Sequence, residues 1–169
     1  MDPRAVLDRI AQSAAAAGMP PTSADLAGNT VLVARRSDFR LRWMATRLHT
    51  FLVASAFPPG TATADQLDRF LHLALDHAVA NKSGLPRGLQ TGVAVVAVAV
   101  TTGAGPEAAA WASSVHGRRW AAIPFPVLVD GASGQVVHPK RMVIGGIYAS
   151  HLRRVVTDVV APALGGPRF

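Results

Sequence analysis

At its centre the chain carries an eight-residue run of valine and alanine, Val93 to Val100. The run is far shorter than the roughly 20 residues that span a membrane as a helix, and its β-branched side chains favour a strand. Because neither face of this strand would carry a polar group, we predict that both faces are buried, as in a parallel sheet. Glycine-containing loops flank the run at residues 82–92 and 101–105.

Apolar residues spaced three and four apart predict four helices. The first begins after the N-cap Asp2, and the second begins at the capping box formed by Thr63 and Gln66. A short third helix begins at Pro106, and a fourth begins near Gly146. We expect the apolar side of each helix to cover a sheet.

Alternation with a period of two predicts strands before and after the central run. It is clearest from Phe39 to Thr46, where one face is apolar and the other basic. Turn-forming residues 130–134 predict a hairpin, and Pro124 and Pro126 indicate an edge position or a late start for its first strand. The remaining predicted segments are a polar loop at 22–29, a strand at 30–35, a turn at 36–38, a strand at 48–57, and hairpin strands at 127–129 and 135–137.

The order of predicted elements is helix, three strands, helix, strand, helix, two strands, helix. Short connections make the first three strands an antiparallel meander. We therefore predict an α+β or mixed α/β fold, with a single sheet of about five to six strands that is covered by helices. The length favours one domain over residues 1–169.

Composition restricts the chemistry and indicates a partner. The chain has no cysteine and a net charge of +7, and 15 of its 17 basic residues are arginine. Such a charge favours nucleic acid or another anionic ligand. The sequence shows neither a signal-peptide pattern nor a transmembrane stretch, so we expect a cytoplasmic protein without a membrane partner.

The turn after the central run resembles a dinucleotide-binding motif in form. Gly103 and Gly105 with Ala108 give G-x-G-x-x-A between a strand and a helix, and Asp130 ends the next strand. The predicted helix is short, however, and Asp130 is well explained as the first residue of a hairpin turn. We favour a simple turn into a helix and predict no cofactor, while keeping Gly103 and Gly105 as candidate ligand contacts.

The loop before the central run is the second candidate. It contains Lys82, Arg87 and Gly88, and its glycines could wrap an anion in backbone amides. It lacks the G-K-[ST] of a Walker loop. It also lies at the amino end of the strand, whereas open α/β sheets usually bind ligands at the carboxyl ends.

The third candidate is a basic sheet face that could contact phosphates, although we favour a solvated outer face, or one covered by a helix that packs on the arginine stems. We expect Phe39 and Trp43 on the opposite side of the strand. The basic face comprises Arg40 and Arg42, with Arg35, Arg36, Arg47 and His49 nearby.

Several catalytic signatures are absent from the sequence. It contains no G-x-S-x-G and no H-E-x-x-H, and no acid stands two residues before Lys82 or Lys140. Asp68 and His72, one helical turn apart, could share a metal, but we favour a solvated face and predict no metal site. Catalysis by residues brought together from distant segments stays open.

Three functional hypotheses follow. We place first a binding or assembly domain without catalysis that self-associates as a homodimer, because the aromatic residues exceed the needs of a small core. The second is a nucleic-acid or phosphate-ligand binding protein that uses the basic face and the loop at residues 82–92. The third is an enzyme on a small nucleotide or phosphorylated substrate, bound at the turn from Gly103 to Glu107. The aromatic residues concerned are Trp43, Trp111, Trp120, Phe125 and Tyr148.

Overall fold

A computed structural model describes residues 1–40, 46–82, 91–116, 122–142 and 146–165. Within these residues the chain forms one mixed sheet of six strands and four α-helices, as the sequence predicts. The helices are α1 (Pro3–Ala16), α2 (Ala64–Asn81), α3 (Pro106–Ser113) and α4 (Gly146–Val155). The strands are β1 (Pro21–Leu26), β2 (Asn29–Arg40), β3 (Thr46–Ala56), β4 (Thr91–Thr101), β5 (Ala122–Asp130) and β6 (Gln135–Val137).

The strands lie side by side in chain order, from β1 to β6. The first three form an antiparallel meander, as the sequence predicts, but its first strand was not predicted and the predicted strand at 30–35 is part of β2, the middle strand. Strand β4 is parallel to both β3 and β5, and β6 closes the sheet as the antiparallel partner of β5. Helices α2 and α3 are the crossovers that these two parallel pairings require.

The central strand β4 is buried on both faces, which confirms the prediction from its composition. Each residue from Val93 to Val100 is at most 1% exposed. Its even-numbered side chains pack with α1 and α4 in one core cluster, and its odd-numbered side chains pack with α2 and α3 in another. We call the two sides of the sheet the α1 face and the α2 face.

The N-caps of α1 and α2 form the hydrogen bonds that the sequence predicts. The Asp2 carboxylate accepts a hydrogen bond from the Ala5 amide at 3.1 Å, and the Thr63 hydroxyl accepts one from the Gln66 amide at 3.4 Å.

Helix α4 continues through a π-helical segment (Val156–Val160) and a 3₁₀ segment (Ala161–Leu164). Among the described helices, none combines the length and apolar character needed to cross a membrane.

Two of the predicted segment assignments are wrong. The polar loop at 22–29 contains β1, and the turn at 36–38 lies inside β2, where Ser37 pairs with His49 of β3. In both places strand pairing outweighs a polar local composition. The hairpin between β1 and β2 turns on Ala27 and Gly28, both with positive φ (52° and 83°). The predicted strand at 39–46 lies largely outside the described residues.

The two prolines of β5 occupy the edge-like position that the sequence indicates. Strand β6 pairs only with Leu128 to Asp130, so Pro124 and Pro126 have a strand partner on the β4 side alone among the described residues. Because proline has no amide proton to donate, this part of the strand tolerates it.

Candidate functional site

A group of polar and basic side chains lies at the amino end of β4, on the α2 face of the sheet. Side chains alternate along a strand and cross-strand partners share a face. Val33 of β2 and Phe51 of β3 belong to the core of the α2 face, so Ser37 and His49, which are direct partners, lie on that face too. The His49 site, as we call it, comprises Arg35, Ser37, Arg47, His49 and Lys82.

His49 is the buried centre of this site. Its residue is only 7% exposed, and its Nε2 atom has no hydrogen-bond partner among the described residues. Burial, followed by the charges of Lys82, Arg47 and Arg35, lowers the pKa of His49. Both causes disfavour the imidazolium, so the ring is neutral at neutral pH.

The end of helix α2 positions two of the surrounding cations. The Arg35 Nη1 atom donates a hydrogen bond to the Asn81 carbonyl at 3.2 Å, and Asn81 is the last residue of α2. Lys82 follows directly as the C-cap. The helix end therefore brings a sheet arginine and a helix-terminal lysine towards the same histidine.

The site opens to solvent through a depression of about 250 Å³. It is lined by Arg35, Arg36, Ser37, His49 and Phe51. An anion in this depression would reduce the repulsion between the cations, and it could accept a hydrogen bond from an Nε2-protonated His49. The chemistry available here is therefore anion binding.

The side chain of Arg36 is directed to the other face of β2 and is already paired, although the residue borders the depression. Its Nε atom lies 2.9 Å from Asp38 Oδ2. The same carboxylate oxygen lies 3.7 Å from Nε2 of His151 on α4, and that nitrogen lies 3.0 Å from the Thr50 hydroxyl. These residues form a polar cluster beneath α4 on the α1 face, separate from the His49 site.

The structure places the predicted site residues at opposite ends of β4. Lys82 belongs to the His49 site, whereas Gly103 and Gly105 follow the carboxyl end of β4. Arg42, Arg87 and Gly88 lie outside the described residues, as does the side chain of Arg40, the last residue of β2. Among the described candidates, Lys82 therefore does not lie at one site with Gly103 and Gly105.

At the carboxyl end, Asp130 binds the glycine turn. Its Oδ1 accepts hydrogen bonds from the Gly103 amide at 2.8 Å and the Ala132 amide at 3.0 Å, and its Oδ2 accepts one from the Ser133 hydroxyl at 2.8 Å. Burial alone would raise the pKa of Asp130, but these hydrogen bonds lower it overall. The turn thus has a structural role, and ligand binding at Gly103 and Gly105 stays a prediction.

Phe39 lies beside basic residues, a position that the sequence pattern did not predict. Phe39 is the direct partner of Arg47 and lies two residues beyond Ser37, so it shares the α2 face with the His49 site. It is 55% exposed. Arg35, Ser37 and Phe39 stand at alternate positions, so the sequence would predict that they share a face if residues 36–38 were assigned to a strand.

The aromatic residues that suggested self-association are mostly core residues. Phe125 and Trp111 are buried, and Tyr148 packs partly buried against the core on the α1 face. Trp43 and Trp120 lie outside the described residues. The homodimer stays a prediction, without support from these three side chains.

The predicted Asp68–His72 pair forms on the solvent side of α2. His72 Nδ1 lies 3.2 Å from Asp68 Oδ2, and both side chains are about half exposed. His116 lies 3.9 Å from the other Asp68 oxygen. Across the described ranges, no three histidine, aspartate or glutamate side chains are arranged to hold a metal ion.

Comparison with known proteins gives no match to a family model, a curated protein or a solved structure.

Proposed function

We propose that this protein is a binding domain for a phosphate-bearing ligand, which it holds at the His49 site. The observation that carries the proposal is the buried Nε2 atom of His49, which has no partner in the described part of the chain and is surrounded by the charges of Lys82, Arg47 and Arg35. A cytoplasmic location and the absence of catalysis are part of the same proposal.

This arrangement is costly in the absence of a ligand. A buried polar group without a hydrogen bond costs about 1–3 kcal/mol, and like charges placed together add repulsion. A phosphate would offset both costs, because it accepts hydrogen bonds and carries negative charge. Arginine is suited to this role, since its guanidinium matches phosphate oxygens in bidentate geometry.

Phe39 favours a nucleotide over a simple phosphate. Its exposed ring stands on the same face as the site and directly across from Arg47. Exposed aromatic rings beside basic residues stack on nucleobases while the cations contact the backbone. We therefore propose a nucleotide ligand, either free or within a single strand.

The experiment measures binding of three probes: pyrophosphate, adenosine diphosphate and a short single-stranded oligothymidylate. Calorimetry is carried out at two salt concentrations. All three probes should bind more weakly in higher salt, and for a single strand that meets three phosphates the logarithmic slope should be about −2. A markedly stronger oligothymidylate affinity would identify the strand as the ligand, and a stronger diphosphate affinity would identify the free nucleotide.

Two variants and a control test whether the probes bind at the His49 site. Arg35→Gln should weaken all three probes by about tenfold, as expected for one charge-assisted contact. Phe39→Ala should weaken only the two probes that carry a base. Arg9→Gln, which removes the same charge from an exposed position on α1, is the matched control and should change little. Equal losses in Arg35→Gln and Arg9→Gln would refute the site, because they would show that only net charge matters.

A further inference from the structure

A second cavity lies on the α2 face at the opposite end of β2 and β3. Its volume is about 480 Å³. It is partly open to solvent and is bounded by the β1–β2 hairpin, the carboxyl end of β3 with the connection that follows it, and the first half of α2. From His49 to Ser55, which lines this cavity, β3 covers about 20 Å at about 3.3 Å per residue, so the two sites are well separated.

The floor of the cavity is apolar. Phe57 and Phe70 meet edge to face with ring centroids 5.6 Å apart, and Val31 and Leu73 extend this surface. Small-molecule pockets are concave, mostly apolar and about 300–1,000 Å³ in volume, with a few polar groups that orient the ligand. Both the size and the lining of this cavity match that description.

Among the described residues, the rim of the cavity carries positive charge only. Arg69 of α2 lines the opening and is exposed, and it makes no ion pair or hydrogen bond within the described part of the chain. Asn29 and Gln66 add neutral polar groups, and no carboxylate is among the described residues that line the cavity. A ligand with a negative head group is therefore complementary, whereas a cationic one is not.

The cavity shares one of the two features of ligand sites in open α/β sheets, a place at the carboxyl end of a strand, whereas the described strand order, β1 to β6, has no reversal. It lies at the carboxyl end of β3, the strand that leads through α2 into the parallel strand β4. Ligands in such sheets bind outside the carboxyl ends of the strands. The His49 site, at the amino end of β4, does not have this position.

We propose that this cavity binds a small amphipathic carboxylate, such as a medium-chain fatty acid, with its apolar body against Phe57 and Phe70 and its head group paired with Arg69. The proposal does not depend on the function of the His49 site. Burial of the apolar chain supplies most of the binding free energy, and Arg69 selects the charge.

The test compares decanoate with the neutral decanol in ¹⁵N NMR titrations of the full-length protein. Decanoate should bind more tightly than decanol and shift the amide signals of Asn29, Ser55 and Arg69. Arg69→Gln should reduce decanoate affinity about fivefold or more and leave decanol affinity unchanged. Arg154→Gln, at an exposed position on α4, is the charge-matched control and should change neither affinity.

Leu73→Trp provides the second test, because the larger side chain fills the cavity. It should abolish binding of both ligands while its NMR spectrum stays that of a folded protein. If Leu73→Trp does not fold, a smaller change, Ser55→Leu, fills the other wall and serves in its place. Equal decanoate and decanol affinities, equal effects of Arg69→Gln and Arg154→Gln, or shifts confined to other surfaces would each overturn the proposal.

Discussion

The Asp130 carboxylate accepts a hydrogen bond from the backbone amide of Gly103 at 2.8 Å, and this contact joins the hairpin after β5 to the turn after β4. The same carboxylate also bonds the Ala132 amide and the Ser133 hydroxyl within its own hairpin. A single side chain therefore fixes two neighbouring loops at the carboxyl end of the sheet.

We expect Asp130→Asn to destabilise the protein by about 1 kcal/mol at neutral pH, because charge-assisted hydrogen bonds become neutral ones. The pKa of Asp130 is lowered from its ordinary value of 3.8, so its contribution is complete above that value and is lost as the pH falls through the lower folded-state pKa. Urea denaturation across acidic pH should show the wild-type and variant stabilities converging. Ser133→Ala, which removes one of the bonds, should cost less, and a pH-independent difference would contradict this account.

Replacement by valine should have different effects on stability at two buried threonines, Thr50 and Thr101. The Thr50 hydroxyl lies 3.0 Å from His151 Nε2, whereas the Thr101 hydroxyl is buried without a hydrogen-bond partner in the described structure. Thr50→Val should destabilise by about 1–2 kcal/mol, because it leaves a buried ring nitrogen without this contact. Thr101→Val should be neutral or stabilising, because it removes an unsatisfied polar group. Thermal unfolding of the two variants tests the pair, and equal losses would contradict it.

His49 should make the protein less stable in mild acid. Because its folded-state pKa is lowered, the unfolded chain takes up a proton below about pH 6.5 that the folded state does not. This contribution to stability is complete above that pH and decreases as the pH falls. His49→Gln removes the titrating group, so the difference in unfolding free energy between wild type and variant should change between about pH 7.5 and about pH 5.5. A constant difference would show that the folded state does not disfavour protonation of His49.

Ala27 should be a site where a substitution stabilises the fold. Its φ of 52° lies in the left-handed region, which costs an alanine about 1 kcal/mol and which asparagine tolerates better. Ala27→Asn should therefore raise the free energy of unfolding by about 0.5–1 kcal/mol. Ala110→Asn, at an exposed position inside α3, should have the opposite sign because asparagine is a poorer helix former. Chemical denaturation of both variants provides the measurement.

Parts of the fold with a strong local pattern could be predicted from the sequence. Val93 to Val100 gave the central strand, and the caps at Asp2 and Thr63 gave two helix starts, because burial on two faces and N-capping leave direct marks on composition. The β1–β2 hairpin has no comparable pattern in the sequence. Its turn at Ala27 and Gly28 lacks the usual asparagine or aspartate, and its strands are polar where they face solvent.

The His49 site could be predicted only in part. The local density of arginine pointed to the segment with Arg35 and Arg47, and the loop pattern pointed to Lys82. What joins them is the pairing of β2 with β3 and the position of the α2 C-terminus, which are long-range contacts. The cavity beside Phe57 and Arg69 comes from three distant elements and has no local signal in the sequence.

Strand β4 also has a consequence for the chain before it folds. Its parallel neighbours β3 and β5 are reached only through crossover connections, and such non-local pairings form slowly. Until they form, Val93 to Val100 is an uncharged stretch of high β-propensity, free of proline and glycine, of the kind that stacks in register with identical copies from other chains. The segment that contributes to both core clusters of the folded protein is therefore an aggregation hazard in the nascent or denatured chain, and refolding yield should fall as concentration rises.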